Sequence, residues 1–215
     1  MTRYAIFSDI HNHSQALAAM LGDAGARQVD GYVCLGDIGI DSCVDQVRGV
    51  GAEAVFGNWE LSGWRGLAPA NQRWAGQLPP LRRYAGFWVS HAAPTWPSEI
   101  DTLTAYLRER HRLGFQTLFP YYLQADDTLW RAFAALLEAK VPLLFHGHTH
   151  RQIVWTLTPD NDITRSPGRD FTLTAGHSYV IGVGSVGQPR DSASPSYVIF
   201  DSITLRVQFV RLQSG

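Results

Sequence analysis

The chain has 215 residues, of which 45% are hydrophobic, so it is long enough to bury a substantial core in one compact domain. Its 18 basic and 19 acidic side chains give a formal net charge of -1. A balanced charge argues against broad electrostatic attraction to nucleic acid or to an anionic membrane surface. We therefore expect a single domain over residues 1–215 that recognises any anionic ligand locally.

The sequence gives no sign of export or membrane insertion. The N-terminus runs directly into a strand pattern, without a basic region, a long apolar segment or a small-residue cleavage site. No apolar stretch of about 20 residues, the length that spans a bilayer, occurs elsewhere. Cys34 and Cys43 lack the paired spacing of a zinc site and fit core packing in a reducing compartment. We expect a cytoplasmic protein.

The first sixty residues alternate between short apolar runs and helical patterns. We predict helices over 14–24, capped by Ser14, and over 44–50. The predicted strands are Tyr4–Phe7, Tyr32–Leu35 and Glu53–Phe56. Because strands that alternate with helices usually run parallel, this half predicts a parallel α/β sheet.

The rest of the chain changes character twice. A tryptophan-rich irregular stretch over 63–80 precedes a strand at 87–89, and two helical segments are predicted between Ser98 and Lys140. The second helix carries its apolar residues on one side, namely Leu129, Phe133, Leu136 and Leu137. After a strand at 141–145, four further strands are predicted to be mostly antiparallel and to form a second sheet, at 153–157, 179–182, 197–200 and 205–212.

Short polar motifs follow five of the predicted strands. They are Asp9-Ile10-His11, Gly36-Asp37, Gly57-Asn58-Trp59-Glu60, Ser90-His91 and Gly147-His148-Thr149-His150. Since ligands of α/β sheets bind at the carboxyl ends of strands, these side chains are expected to converge. Carboxylate and imidazole ligands suit Mn, Fe, Zn or Ni better than Ca, and Asp37 is placed to bridge two cations.

In order and spacing, these motifs resemble the signature of the calcineurin-like metallophosphoesterase superfamily, D-x-H, G-D, G-N-H-[DE], H and G-H-x-H. The segment Gly184–Asp191 is similar to one found in small prokaryotic members. The resemblance implies an α/β fold with four αββα layers, in which helices flank two mixed β-sheets. It also implies a phosphoric ester hydrolase with two divalent transition-metal ions, Mn, Fe, Zn or Ni.

The resemblance further implies which residues hold each ion. The first ion would take Asp9, His11, Asp37 and His150, and the second would take Asp37, Asn58, His91 and His148. A hydroxide between the ions would attack a small phosphomonoester or phosphodiester, with a nucleotide as one candidate. Asn58 and Arg190 are candidate substrate-binding residues, although Arg190 could instead pair with Asp191.

The chain departs from the family signature at Trp59. The family has a histidine at this position, thought to contact phosphate and to protonate the leaving oxygen, which an indole cannot do. His13 stands where small members usually carry asparagine, and it could supply the missing imidazole or simply face solvent. Trp59 and His13 are therefore the two candidate catalytic positions.

Other functions remain open at this level. A non-catalytic binding or scaffold protein could keep the fold after losing the family histidine. A nuclease is disfavoured by the balanced charge. Trp59, Trp64, Trp74 and Trp96 either stack on a flat leaving group or, as is commoner, pack beneath loops. Trp59 and its neighbours could also form a patch that supports a homo-oligomer.

Overall fold

A computed structural model describes residues 2–212; Met1 and residues 213–215 of the predicted 1–215 domain lie outside the described part. The strands are β1 (Arg3–Phe7), β2 (Gly31–Cys34), β3 (Glu53–Ala54), β4 (Leu81–Tyr84), β5 (Phe87–Ser90), β6 (Leu143–His146), β7 (Gln152–Leu157), β8 (Ile163–Pro167), β9 (Phe171–Thr172), β10 (Ser178–Val183), β11 (Ser196–Asp201) and β12 (Arg206–Arg211). The helices are α1 (Ser14–Ala26), α2 (Asp41–Gly49), α3 (Glu60–Gly63), α4 (Pro69–Gly76), α5 (Leu103–Glu109), α6 (Phe115–Leu118) and α7 (Asp127–Ala139).

The strands form two mixed sheets of six strands each. The first has the order β3-β2-β1-β11-β12-β9, in which β1 runs parallel to β2 and antiparallel to β11. The second has the order β4-β5-β6-β10-β7-β8, in which β5, β6 and β10 are parallel. Both sheets are therefore mixed, as the resemblance implied.

Three apolar clusters separate four layers. Residues of both sheets, such as Ile6, Phe145 and Phe200, form the central cluster between the sheets. Helices α1 and α2 pack on the outer face of the first sheet. Helix α7 covers the second sheet through Leu129, Phe133 and Leu136, which are fully buried. The αββα prediction is confirmed.

The assignment of the last strands to a separate sheet was wrong. Strands β11 and β12 complete the first sheet, where β11 pairs with β1. Strands β7, β8 and β10 extend the second sheet beside β6. A continuous apolar run in the sequence indicates that a strand is covered on both faces, but it does not indicate which strand is its neighbour.

Several local predictions also need correction. Strand β3 ends at Ala54, two residues before the predicted end. The Val55 amide still bonds the carbonyl of Cys34 at 3.0 Å, and the Phe56 amide bonds that of Pro79 at 3.1 Å. Leu137 is 56% exposed and lies off the buried side of α7. The N-cap of α1 is His13, and Ser14 is its first helical residue. Strands β4, β8 and β9 were not predicted from the sequence.

Two predictions about the chain as a whole can be compared with the described residues. Cys34 and Cys43 are both buried and free, as expected for core cysteines. Over residues 2–212, every helix is too short or too polar to cross a membrane.

Helix α7 ends in a Schellman motif centred on Lys140. The amide of Val141 donates to the carbonyl of Leu136 at 2.9 Å, and that of Lys140 donates to Leu137 at 3.1 Å. Lys140 is left-handed, with φ 56° and ψ 39°, a position that glycine usually occupies. The helix that covers the second sheet therefore carries a strained residue at its end.

We expect Lys140→Gly to raise the free energy of unfolding by about 0.5–1 kcal/mol, because glycine has no Cβ to oppose the left-handed conformation. Urea unfolding measures the change, and Lys140→Ala is the matched control that removes the side chain but keeps the Cβ. If alanine stabilises the protein as much as glycine, the lysine side chain rather than backbone strain explains the effect.

Candidate metal centre

Strands from both sheets end at one edge of the molecule and deliver the predicted side chains there. The loops after β1, β2 and β3 come from the first sheet, and those after β5 and β6 come from the second. The side chains brought together at this edge are those of Asp9, His11, Asp37, Asn58, His91, His148 and His150. All but Asn58 are at most 6% exposed. The site therefore lies at the seam between the two sheets.

Five of these residues have a left-handed backbone. Asp9, His11, Asp37, His148 and His150 have φ values between 48° and 63°. Non-glycine residues adopt this conformation uncommonly, and it persists only where the surroundings enforce it. The left-handed turns aim alternate side chains of the D-x-H and H-x-H motifs toward the same space. The left-handed conformation therefore explains how two residues separated by one position can both reach the site.

Asp9, His11 and His150 form the first group of close donors. The Nε2 atoms of His11 and His150 lie 3.1 Å apart, and His150 Nε2 is 3.3 Å from Asp9 Oδ1. His150 Nδ1 donates to the carbonyl of Gln188 at 2.7 Å, so in the neutral ring Nε2 carries a lone pair. Nitrogen lone pairs at this separation require a proton or a cation between them.

A second group forms around His91. Its Nδ1 donates to the carbonyl of Leu35 at 2.8 Å, which leaves Nε2 as an acceptor in the neutral ring. That nitrogen lies 3.0 Å from Asn58 Oδ1 and 3.5 Å from Asp37 Oδ2. The same Asp37 oxygen is 3.5 Å from His11 Nε2, so it stands between the two groups.

His148 approaches the site through its backbone and its ring. Its amide donates to Asp9 Oδ2 at 3.0 Å. Its Nε2 is buried and has no hydrogen-bond partner within residues 2–212, and the same is true of His11 Nδ1. A buried polar atom without a partner costs free energy. Divalent cations fit this donor set, because its buried imidazole and carboxylate atoms have few other partners.

The charges of the site point the same way. Burial raises the pKa of Asp37 well above its usual range, and the nearby charges of Glu60 and Asp9 raise it further. Burial also opposes ionisation of Asp9, but the nearby His11 ring, with Nε2 3.7 Å from Asp9 Oδ1, and the other imidazoles outweigh burial and lower the pKa of Asp9 to about 2. Burial lowers the pKa of His148 to about 3. Asp37 thus lies close enough to Asp9 and Glu60 for their negative charges to repel one another, and bound cations would relieve this repulsion.

The loop after β10 supports the site from behind. The Ser185 hydroxyl and the Gly187 amide both donate to the carbonyl of Asp9, at 2.8 and 2.9 Å. The amide of Arg190 donates to the carbonyl of His150 at 2.9 Å. A Cβ on Gly187 would collide with the carbonyl oxygen of Ile10, which explains the glycine. This loop fixes the backbone of two candidate ligands.

The alternative in which Arg190 pairs with Asp191 is not found among the described residues 2–212. Asp191 instead accepts from Arg211 Nη2 at 2.9 Å and from the amide of Gln152 at 2.9 Å. Arg211 reaches it from β12, a strand whose place in the sheets the sequence did not reveal. The Arg190 side chain is exposed. Its role in substrate binding stays a prediction.

The two candidate catalytic positions lie in different surroundings. The Trp59 amide donates to Asp37 Oδ1 at 2.6 Å, and its indole meets the His11 ring edge-on, with ring centroids 4.6 Å apart. The indole is 36% exposed. The His13 side chain is exposed, and a Cβ on Gly187 would lie 2.7 Å from its Cδ2. Trp59 thus touches a candidate ligand, whereas His13 lies beside the supporting loop.

Glu60 is a buried residue of the site to which the sequence analysis gave no role. Its Oε2 accepts from the amides of Asp37 at 2.9 Å and Gly57 at 2.7 Å, and its Oε1 accepts from Ile38 at 2.7 Å. One carboxylate therefore joins the loops after β2 and β3. The sequence feature that could have indicated this role is the position of Glu60 at the end of the Gly57–Glu60 motif.

Tyr121 is a second residue that sequence reasoning missed. Its ring stacks on His148, with centroids 4.1 Å apart and planes inclined by 29°, and it is 49% exposed. It lies in an irregular stretch between α6 and α7, where no pattern distinguishes it from its neighbours. The other groove tryptophans, Trp64, Trp74 and Trp96, pack against the core instead.

The layered fold and the edge cluster of carboxylates, amide and imidazoles define a protein of the metallophosphoesterase class. The chain belongs to the calcineurin-like phosphoesterase superfamily, whose family model matches residues 2–204.

The chain is similar to a known protein sequence and to solved structures. The chain is 27% identical to the uncharacterized protein MJ0912 of Methanocaldococcus jannaschii, over 97% of this chain and 86% of that protein. The crystal structure of a metallophosphoesterase from Sphaerobacter thermophilus has a TM-score of 0.74 and 28% identity, covering 99% of this chain and 89% of that one. A novel archaeal phosphodiesterase shares the fold at a TM-score of 0.53 and 13% identity, covering 98% of this chain and 99% of that one.

We expect Glu60→Gln to lower the free energy of unfolding by about 1–3 kcal/mol, because the new amide NH₂ must face one of the three backbone N–H groups that the carboxylate accepts. Urea unfolding of the metal-free protein measures the loss, with the exposed Glu99→Gln as the matched control. Equal stability of the two variants would show that the loops are held by other contacts.

Proposed function

We propose that the protein is a phosphoesterase that uses two divalent transition-metal ions to hydrolyse a small phosphomonoester or phosphodiester. The observation that carries this proposal is the contact of His11 Nε2 with His150 Nε2 at 3.1 Å, beside the buried carboxylates of Asp9 and Asp37. Two buried imidazole nitrogens this close to each other and to two carboxylates form a donor set that suits transition-metal cations.

Each ion has a set of proposed ligands. Asp9, His11, Asp37 and His150 would hold the first ion, and Asp37, Asn58, His91 and His148 would hold the second. Bound divalent cations of this kind lower the pKa of a coordinated water and neutralise phosphoryl oxygens. Asp37 is the proposed bridge, since one of its oxygens lies 3.5 Å from both His11 Nε2 and His91 Nε2.

The remaining polar groups would act on the substrate directly. The Asn58 amide, partly exposed beside His91, can donate to a phosphoryl oxygen, and the exposed Arg190 guanidinium can pair with one. The Trp59 indole has no acid–base chemistry, and it would exclude water from the His11 side. His13 is the alternative proton donor, and its side chain is exposed.

A second candidate is a binding or scaffold protein that retains the fold without turnover. The indole of Trp59 favours it, because the side chain that the family uses as an acid is absent. The two candidates separate by assaying an activated aryl phosphate with added Mn²⁺, in parallel with a sample treated with chelator. Turnover that the chelator abolishes supports the enzyme, and a fully metallated protein without turnover supports the scaffold.

We expect Asp37→Asn to weaken the binding of both ions, because it removes the carboxylate proposed to contact each of them. Metal content after dialysis against limiting Mn²⁺ measures this, and the exposed Asp160→Asn serves as the control. Retention of one ion per chain at full occupancy would refute the bridging role while leaving the rest of the ligand set in place.

We expect hydrolysis to depend steeply on the acidity of the leaving group, since general-acid help worth about 10²- to 10⁴-fold is missing at Trp59. The measurement compares kcat/KM for 4-nitrophenyl, trifluoroethyl and ethyl phosphates. Trp59→His should accelerate the ethyl ester most, because its alkoxide most needs a proton.

His13 is tested in the same series. If His13 donates the proton, His13→Ala slows the ethyl ester selectively and leaves metal content unchanged, whereas the exposed His111→Ala has no effect. Equal slowing of all three esters would instead assign His13 to binding or structure.

A further inference from the structure

Two half-exposed aromatic side chains contact different imidazoles of the candidate metal centre. Trp59 meets His11 edge-on at 4.6 Å, and Tyr121 stacks on His148 at 4.1 Å. They are 36% and 49% exposed, so neither is a core residue. Scattered exposed aromatics need no explanation, but two that each cover a proposed ligand leave apolar surface beside the place where a phosphate would bind.

A cavity of about 200 Å³ adjoins Trp59. It is lined by Asn12, Gly39, Ile40, Asp41, Trp59, Gly63, Gly66 and Leu67. The side-chain oxygens in these walls already have partners. Asn12 Oδ1 accepts from the Ile40 amide at 2.9 Å, and Asp41 Oδ1 accepts from the Ala68 amide at 2.9 Å and from Asn71 Nδ2 at 2.7 Å. Cavities of about 150 Å³ accommodate a benzene ring. This one has room for a single planar ring.

Tyr121 offers the second aromatic surface. One face of its ring covers His148, and the side chain keeps 49% of its surface exposed. Its hydroxyl makes no hydrogen bond within the described residues 2–212, so the polar end does not tie the ring to the protein. The free part of the ring is suited to stacking against a flat group.

We infer that Trp59 and Tyr121 bind a planar aromatic group carried by the phosphate ester, so that aryl esters and nucleotides form the substrate class. This inference rests on the proposed function because it places the phosphate at the candidate metal centre. Stacking recognises any planar ring and is tolerant of its hydrogen-bonding pattern. The site therefore selects flat groups over saturated ones and discriminates little among nucleobases.

The test uses binding of two phosphonates that cannot be hydrolysed as esters. Benzylphosphonate and cyclohexylmethylphosphonate carry the same anion and a ring of six carbons, but only the first ring is planar and aromatic. Calorimetric titration of the Mn²⁺-loaded protein should show that benzylphosphonate binds at least about five-fold more tightly, the lower end of the effect of one stacking contact.

Variants locate the preference. Tyr121→Leu and Trp59→Leu should each reduce the ratio of the two affinities, and Trp130→Leu, which removes an indole of similar exposure on α7, should leave the ratio unchanged. Equal affinities in the unmodified protein overturn the inference, as does a preference that Tyr121→Leu retains. If Trp59→Leu does not fold, Tyr121→Leu decides alone.

The result separates this inference from the proposed function. A preference for benzylphosphonate that Tyr121→Leu removes supports the aromatic site even if no ester is turned over. Turnover of esters without such a preference supports the phosphoesterase and overturns the aromatic site. Failure of both phosphonates to bind the metal-loaded protein also overturns it.

Discussion

The concentration of buried negative charge at the edge of the sheets is the constraint on which the site depends. Asp9, Asp37 and Glu60 are all at most 4% exposed and close enough for their charges to raise the pKa of Asp37. Such a cluster is costly unless each carboxylate is compensated. Glu60 is compensated by three backbone amides, whereas Asp9 and Asp37 face imidazoles whose lone pairs converge with them. Glu60 therefore holds the loops together, whereas Asp9 and Asp37 are suited to binding cations.

The backbone enforces this arrangement before any ligand is present. Left-handed residues in three loops turn the side chains inward. The amides of Trp59, His148 and Gly187 and the hydroxyl of Ser185 donate hydrogen bonds to Asp37 and Asp9. A strained backbone persists only where surrounding contacts hold it. The hydrogen bonds around Asp9 and Asp37 therefore stabilise the left-handed conformation of these two residues. Trp59, which stands where the family has histidine, is compatible with this arrangement. Its hydrogen bond to Asp37 comes from the backbone amide and does not depend on the side chain.

The sequence predicted the layered fold and the residues that meet at the edge, because short polar motifs after apolar strands have a local signature. It did not place β11 beside β1, because this pairing joins residues almost 200 positions apart in the sequence. It also missed Tyr121, whose position on His148 results from the path of an irregular segment, and the pairing of Arg211 with Asp191. The polar motifs could therefore be predicted from the sequence, whereas the pairing of distant strands and the packing of loops could not.

The position of β11 has a consequence for how the chain is made. Residues 3–6 pair with residues 198–201 in the middle of the first sheet, so the N-terminal strand lacks one neighbour until most of the chain has left the ribosome. Vectorial synthesis thus delivers β1, β2 and α1 long before their sheet can close. The loop after β10, which bonds Asp9 and His150, also arrives late. The nascent polypeptide can complete its candidate metal centre only after β10 and the loop that follows it have been synthesised.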